Sequence, residues 1–321
     1  MFYCIIIFVM NKYQERIVFM GTPTFASKIL KGLLVAGFNI VGVVCQPDKL
    51  VGRKQLLQAC PVKQLSNDEN IAVLSPERIR NDYQDILDLN PDLIITCAYG
   101  QIIPKQILDY PKYKCINVHA SLLPKYRGAS PIQSALLNGE DKTGITIMYM
   151  NEKMDEGDIL FQEEMDIDIY DTNAALFDKL ADLGLDLLLK HLPDIFDNNI
   201  NPIKQNEELV TYASKLNKEI EFIDFNDNVI NVYNHIRALL DEPGCYFVCK
   251  DKKYKIIKAF FQYQDQTNTN IFIGLENDYL RIDCLDGFIK IYEIKPEGKN
   301  TMNAKAFYNG VGRNIVGEKL G

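Results

Sequence analysis

The regular part of the chain opens with a short apolar run that ends in a turn, Ile17-Val-Phe-Met-Gly-Thr-Pro-Thr24. The β-branched and aromatic residues at 17–21 predict a strand, and the pattern that follows predicts a helix over 24–37. Pro23 suits the start of that helix, and Gly37 suits its C-terminal cap. A buried strand that passes through a tight turn into a helix is typical of a parallel βα unit.

The same alternation of apolar runs and helical patterns continues to about residue 200. The runs at 39–45 and 93–96 contain no alternating polar residues, so helices should cover both faces of the strands that they predict. Other strands are predicted at 114–118, 143–149 and 159–167, and helices at about 76–89, 131–138 and 172–192. The sequence therefore predicts the α/β class, with a doubly wound, mostly parallel, Rossmann-like sheet in a domain of residues 12–200.

A second domain is predicted from the change in composition after Pro193. The Asn- and Asp-rich stretch that follows predicts a linker over 201–217. Residues 218–321 then contain one helical pattern near 228–240. Short strand-like runs follow at 245–249, 253–261, 271–275, 279–284 and 288–294. Because turns separate these runs, they predict a small, OB-like β-barrel.

The first ten residues are the most apolar stretch of the chain. They are too short to span a bilayer core of about 30 Å, they lack a basic segment, and no small-residue cleavage site follows them. We therefore expect residues 1–11 to be a non-native or disordered extension, with Met10 as the true start. No membrane association is predicted.

The charge balance limits how the chain could bind nucleic acid. Lys and Arg number 35 and Asp and Glu number 43, so the formal charge of −8 gives no overall positive field. Any RNA contact must therefore be local. One cluster of lysines could bind a phosphate backbone, or the same lysines could only protect a solvated edge strand. The cluster consists of Lys250, Lys252, Lys253, Lys255 and Lys258. Eight Cys without a CxxC pair and three His predict no metal site and favour a reducing cytoplasm.

The densest group of polar and turn residues lies between Asn117 and Pro131. Side chains alternate along a strand, so Asn117 and His119 project to the same side, at the carboxyl end where open α/β sheets bind ligands. Asn can donate a hydrogen bond to a developing oxyanion, and His can do the same or move a proton. Asp155, in a turn with Gly157, could orient His119 and accept a proton from an amine. Alternatively, the first two side chains only satisfy backbone groups, and the acidic turn is solvated.

Two loops at the same edge of the predicted sheet could contact an anion. The turn at Gly21-Thr-Pro23 could present backbone N–H groups, but it lacks the remaining glycines of GxGxxG. A nicotinamide-dependent dehydrogenase is therefore disfavoured. The polar loop over 46–61 carries Arg53 and Lys54, and it is either a solvated surface loop or a clamp for a phosphate-bearing partner.

Five segments together resemble the methionyl-tRNA formyltransferases, a family of folate-dependent formyltransferases. The segments are Phe19-Met-Gly-Thr-Pro-Thr-Phe-Ala26, Gln46-Pro-Asp48, Ala98-Tyr-Gly-Gln-Ile-Ile-Pro104, residues 117–131 and Met154-Asp-Glu-Gly-Asp-Ile159. The likeness covers nearly the whole chain from about Glu15 and includes residues 298–307. Because Asn-x-His with a later Asp is shared by all folate-dependent formyltransferases, it specifies the chemistry and not the acceptor.

The resemblance implies transfer of the formyl group of 10-formyltetrahydrofolate to the α-amino group of methionine on initiator methionyl-tRNA, which supports translation initiation. It implies that Asn117 and His119 stabilise the oxyanion of a tetrahedral intermediate, while Asp155 holds His119 and helps to remove the amine proton. The residues implied to bind folate are Ser121, Leu122, Leu123, Pro124, Tyr99 and Gly100. The candidates for tRNA binding are Phe25, close to the methionine, and Arg53, Lys54, Lys253 and Lys255. A cytoplasmic monomer without a metal is expected.

One departure and two alternatives remain. Asp241-Glu242 stands where the family has an Asn-Pro run, which weakens any tRNA contact at that turn.

Within the reaction class, the acceptor could be glycinamide ribonucleotide or an amino sugar. Enzymes that formylate glycinamide ribonucleotide resemble only the first domain, and enzymes that formylate an amino sugar usually carry a dehydrogenase domain. Outside that class, the chain could be a non-catalytic folate- or RNA-binding module. The joint presence of Asn117, His119 and Asp155 disfavours such a module.

Overall fold

The computed structural model describes residues 13–51, 55–265 and 269–321. The predictions for residues 1–11, Arg53 and Lys54 lie outside the described residues. The chain divides into two compact units that interleave along the sequence. The first contains the described parts of 1–127, 144–165 and 178–212, and the second contains those of 128–143, 166–177 and 213–321.

Alternating strands and helices build the first part of the chain. In order, they are β1 Ile17–Gly21, α1 Thr24–Val35, β2 Ile40–Val44, β3 Lys49–Val51, β4 Leu56–Gln58, α2 Pro61–Asp68, β5 Val73–Leu74, α3 Gln84–Asp88, β6 Leu93–Cys97, α4 Lys105–Leu108, β7 Cys115–His119, β8 Arg127–Gly128, α5 Pro131–Leu137, β9 Lys142–Tyr149, β10 Ile159–Asp166 and α6 Asn173–Phe196. The main sheet has the order β10-β9-β7-β6-β1-β2-β5. Its strands from β7 to β5 are parallel, and β9 is antiparallel to β7. The predicted mostly parallel sheet is confirmed.

Two local predictions differ from the structure. The helix predicted over 76–89 is wrong in its first half, because α3 begins only at Gln84. Gln101 explains the difference: its Oε1 accepts from the N–H of Ile79 at 3.0 Å, and its Nε2 donates to the carbonyl of Pro76 at 3.2 Å. These tertiary bonds hold the segment outside a helix. The loop over 46–61 contains the antiparallel pair β3 and β4.

The second unit contains an antiparallel sheet, as predicted. The remaining elements are β11 Tyr212–Ala213, α7 Val229–Leu239, β12 Cys245–Cys249, β13 Lys252–Tyr263, β14 Phe272–Glu276, β15 Tyr279–Asp283, β16 Gly287–Pro296, β17 Met302–Asn303 and α8 Ala304–Gly310, with three short 3₁₀ helices at Glu207–Leu209, Lys218–Glu221 and Gly312–Ile315. The sheet order is β12-β13-β16-β15-β14, and β17 pairs with β16. The five strands predicted from the sequence are all present, within three residues at each end.

Residues 318–321 connect the two outer strands of this sheet. The N–H of Gly321 donates to the carbonyl of Val248 in β12 at 3.0 Å. On the other side, the N–H of Phe272 in β14 donates to Glu318 at 3.1 Å, and Ile271 forms a bridge with Lys319. Backbone groups that would otherwise stand unpaired on two strand edges are therefore bonded, as closure of a barrel requires.

None of the helices in the described residues is both long enough and apolar enough to cross a membrane. Within the same residues, no group of three or more His, Cys, Asp or Glu side chains is arranged to hold a metal ion.

Candidate active site

Asn117 and His119 lie on β7, and both contact Asp155. Nδ2 of Asn117 is 3.5 Å from Oδ1 of Asp155, and Nδ1 of His119 is 3.7 Å from Oδ2. The three side chains that the sequence linked therefore meet at the carboxyl end of β7. His119 is only 5% exposed, whereas the Asp155 side chain is 16% exposed, so the group is sheltered and still open to solvent on the Asp155 side.

Both ring nitrogens of His119 face oxygen acceptors. Nε2 lies 2.9 Å from the carbonyl oxygen of Tyr126, and because a carbonyl only accepts, this nitrogen carries a proton. Nδ1 faces the carboxylate of Asp155. These two contacts fix the orientation of the imidazole ring beside Asn117.

The turn that carries Asp155 is packed closely against β9. Asp155 has a φ of +51°, in the left-handed region that Asp tolerates better than most residues. A Cβ atom added at Gly157 would lie 1.8 Å from the carbonyl oxygen of Tyr149, so only glycine fits there. The N–H of Tyr149 also donates to the carbonyl of Asp158 at 2.9 Å. The turn thus has little freedom to move toward β9.

Sequence reasoning missed two polar side chains that hold this group. Oγ1 of Thr96 in β6 lies 2.8 Å from Oδ1 of Asn117, and Nε2 of Gln205 donates to the carbonyl of Asp155 at 2.8 Å. Thr96 could have been noticed as the hydroxyl within the apolar run 93–96. Gln205 falls in the predicted linker, and no sequence pattern marked it.

The segment Ser121–Pro124, implied to bind folate, is held by the main sheet. The N–H of Leu123 donates to Oγ1 of Thr146 at 3.1 Å, and its carbonyl accepts from Nε2 of Gln162 at 3.0 Å. Oγ of Ser121 donates to the carbonyl of Lys125 at 2.6 Å. Leu122 is partly exposed, while Ser121 and Leu123 are buried. The segment is therefore rigid, and its folate contacts stay a prediction.

Tyr99 and Gly100, also implied to bind folate, follow β6. The Tyr99 carbonyl accepts from Oγ1 of Thr22 at 3.1 Å and from Nε2 of Gln46 at 3.0 Å, which joins three of the segments that carry the resemblance. The Tyr99 hydroxyl is buried, and it has no hydrogen-bond partner among the described residues. Burial raises the pKa of this phenol well above its ordinary value. Gly100 has a φ of +92°, which favours glycine.

A cleft of about 530 Å³ borders the Asp155 turn. Its lining mixes apolar and charged side chains and includes Leu108, Lys114, Tyr149, Met150, Gly157 and Asp158. Tyr99 belongs to the same apolar cluster as Leu108, and Met150 packs against that cluster. None of the six residues implied to bind folate lines the cleft, and Lys114 and Tyr149 place it near the amino end of β7.

The remaining candidates are one side chain on α1 and two lysines of the second unit. Phe25 is 6% exposed and is part of the buried face of α1, so its contact with methionine stays a prediction. Lys253 and Lys255 are exposed on β13 and alternate with the buried Tyr254, which places both lysines on one face. Lys255 lies directly opposite Lys295 of β16.

Comparison with known families and proteins identifies the family of this chain. Residues 15–192 match the family described as "Formyl transferase", and residues 215–312 match "Formyl transferase, C-terminal domain". The fold and the two matched domains together define this chain as a formyltransferase. Proteins named methionyl-tRNA formyltransferase from Bacillus cereus (strain B4264) and Bacillus anthracis (strain A0248) are 43% identical over 313 residues, covering 95% of this chain and 98% of each relative. The chain belongs to the methionyl-tRNA formyltransferase family.

Solved structures share the fold at lower identity. A sugar 3N-formyl transferase, WlaRD, aligns with a TM-score of 0.65 at 23% identity, over 90% of this chain and all of that one. HypX from Aquifex aeolicus, solved with tetrahydrofolic acid, aligns with a TM-score of 0.68 at 16% identity, over 96% of this chain and 49% of that one. At this identity the likeness establishes the fold alone.

Proposed function

We propose that this chain transfers the formyl group of 10-formyltetrahydrofolate to the α-amino group of methionine on initiator methionyl-tRNA, and so supports translation initiation. The observation that carries the proposal is the meeting of Asn117, His119 and Asp155 at the end of β7, within a chain that is similar over 95% of its length to proteins of that name. We further propose that it acts in the cytoplasm as a monomer and without a metal.

The three side chains divide the work of the reaction. When the amine attacks the formyl carbon, Nδ2 of Asn117 donates to the oxygen that gains negative charge. The ring of His119, which lies on the same strand, stabilises the same oxyanion. Asp155, whose side chain is 16% exposed, accepts the proton that the amine loses. This assignment uses the hydrogen-bond direction that each group already has in the structure.

The folate site is supported by the buried hydroxyl of Tyr99, which follows β6. A buried hydroxyl without a partner costs free energy, and a polar group of a bound ligand would satisfy it.

The tRNA contact is supported by a row of lysines in the second unit. Lys253 and Lys255 share one face of β13, and Lys295 stands opposite Lys255 on β16. Like charges on facing positions of two strands are unfavourable by themselves, and an anion between them relieves the repulsion. A phosphate backbone is such an anion. Arg53 and Lys54 are proposed to contact the acceptor end.

The proposal is tested by single-turnover transfer of labelled formyl groups from 10-formyltetrahydrofolate. The acceptors, tried side by side, are methionyl initiator tRNA, glycinamide ribonucleotide, a nucleotide-linked amino sugar and free methionine. We expect transfer to the charged tRNA alone. The Asp155→Asn variant serves as the inactive control, with its thermal unfolding compared with that of the parent protein. Transfer only to a small amine would overturn the choice of acceptor and keep the chemistry.

A further inference from the structure

Gln205 holds the turn around Asp155 from outside the catalytic group. Its Nε2 donates to the carbonyl of Asp155 and to the carbonyl of Gly157, each at 2.8 Å. The two amide hydrogens are therefore both bonded, one to each of these carbonyls. Gln205 is 9% exposed, so the two bonds are sheltered from water. Hydrogen bonds are stronger in such a protein interior than in water.

Arg127 sets which end of the Gln205 amide faces the turn. Nε of Arg127 donates to Oε1 of Gln205 at 3.0 Å, and because a guanidinium only donates, the amide nitrogen must face the other way. The guanidinium is 1% exposed, and its other nitrogens lie 2.8 and 3.4 Å from the carboxylate of Glu207. Burial opposes this charge, but the bonds with Glu207 outweigh burial, and the pKa of Arg127 is raised.

Tyr126, the residue before Arg127, contacts His119. The carbonyl of Tyr126 lies 2.9 Å from Nε2 of His119. The N–H of Tyr126 donates to Oγ1 of Thr211, and the N–H of Arg127 donates to the carbonyl of Thr211, both at 2.9 Å. One short stretch of backbone is thus bonded to His119 and, through Gln205, to the turn of Asp155.

We infer that Gln205 and Arg127 are positioning residues for formyl transfer, which act by setting the place of Asp155 relative to His119. The inference rests on the proposed function. Nδ1 of His119 and Oδ2 of Asp155 are 3.7 Å apart, just beyond hydrogen-bond distance, so a small shift of the turn decides whether a direct hydrogen bond forms between them. The left-handed φ of Asp155 also needs support from its surroundings.

The test compares Gln205→Glu with the parent protein. Glutamate keeps the shape of the side chain, but it removes both N–H donors and places oxygen against two carbonyl oxygens. We expect kcat to fall about 100-fold, as a displacement near 1 Å in a catalytic group can cause. The dissociation constants for 10-formyltetrahydrofolate and for initiator tRNA should stay within twofold. Because the chain has three His, the ring-proton NMR signals of His119 can be followed, and they should move toward those of Asp155→Asn.

The matched control is Gln64→Glu, since Gln64 is exposed and its Nε2 donates to the carbonyl of Ala59 at 2.8 Å. It should leave kcat and the His119 signals unchanged. If Gln205→Glu does not fold, Gln205→Met, which removes the donors without adding charge, takes its place. A kcat within twofold of the parent value, or unchanged His119 signals, would overturn the inference. Failure of the proposed function is a separate result, because the parent protein would then not formylate the tRNA.

Discussion

The amide of Asn117 shows how one hydroxyl can set the direction of a catalytic group. Oγ1 of Thr96 lies 2.8 Å from Oδ1 of Asn117, while Nδ2 of the same amide points to Asp155. The single hydrogen of the Thr96 hydroxyl also has the carbonyl of Ile116 within 3.0 Å, and when it is donated to Oδ1 of Asn117, both amide hydrogens lie on the side of Asp155. One of them can bond to Asp155, and the other is available for an oxyanion. Thr96 thereby selects one of the two orientations that an Asn side chain can adopt.

Replacing Thr96 with Val removes this donor and keeps the shape of the side chain. Loss of a hydrogen bond of about 1 kcal/mol in the transition state corresponds to about a fivefold fall in the rate of single-turnover formyl transfer. Thr96→Ser keeps the hydroxyl and should retain most of the parent rate. Equal rates for the Val variant and the parent protein would show that β7 alone orients Asn117.

The helix α7 carries a partly buried imidazole and a buried guanidinium within the second unit. Nε2 of His235 donates to the carbonyl of Ile220 at 2.7 Å, and burial lowers the pKa of this imidazole. Arg237 is 2% exposed and donates to the carbonyls of Asp168 and Asp171 at 2.9 and 3.3 Å. Burial also lowers the pKa of Arg237. The helix is thus anchored through backbone carbonyls, and His235 fits best when it is neutral.

The lowered pKa of His235 predicts a loss of stability in weak acid. Below about pH 6.5, the unfolded chain binds a proton at this position more readily than the folded chain does. Stability is therefore complete above that pH and falls as the pH drops toward the folded pKa. In His235→Gln, which keeps a donor for Ile220, the melting temperature should change less between pH 7.5 and 5.5. An identical change in both proteins would contradict this role.

The elements that could be predicted are those whose residues carry their own pattern. The apolar runs of β1 and β6 indicated buried strands, and alternation along β7 indicated that Asn117 and His119 share a side. The segment 76–83 could not be predicted, because its conformation depends on one distant side chain, Gln101. The role of Gln205 could not be predicted for the same reason. It depends on hydrogen bonds to the carbonyls of Asp155 and Gly157, which only folding brings close to it.

The whole molecule carries a charge of −8, although its proposed partner is a polyanion. Lys253, Lys255 and Lys295 offset this only over one patch of the antiparallel sheet. A phosphate backbone must therefore be bound at short range, where a few contacts outweigh the general repulsion. Affinity for tRNA should accordingly depend on those contacts more than on the total charge of the protein.

Changing Lys253 and Lys255 together to Glu tests this patch. If each lysine neutralises one phosphate, the slope of log affinity against log salt concentration should become smaller by about two. Fluorescence anisotropy of labelled initiator tRNA at several KCl concentrations gives the slope. Lys31→Glu, an exposed change on α1 of the first unit, is the control and should leave it unchanged. A parent-like slope in the double variant would mean that the lysines only protect a solvated strand.

The bonds that residues 318–321 make to β12 and β14 also bear on how the protein is made. A polypeptide leaves the ribosome from its N-terminus, so the main parallel sheet can be complete while the antiparallel sheet still lacks these bonds. Val248 and Phe272 gain their partners only after residues 318–321 have been synthesised. During translation, Val248 and Phe272 therefore lack these partners until residues 318–321 have been added, and a nascent chain stalled in that interval presents strand edges that can pair with other chains.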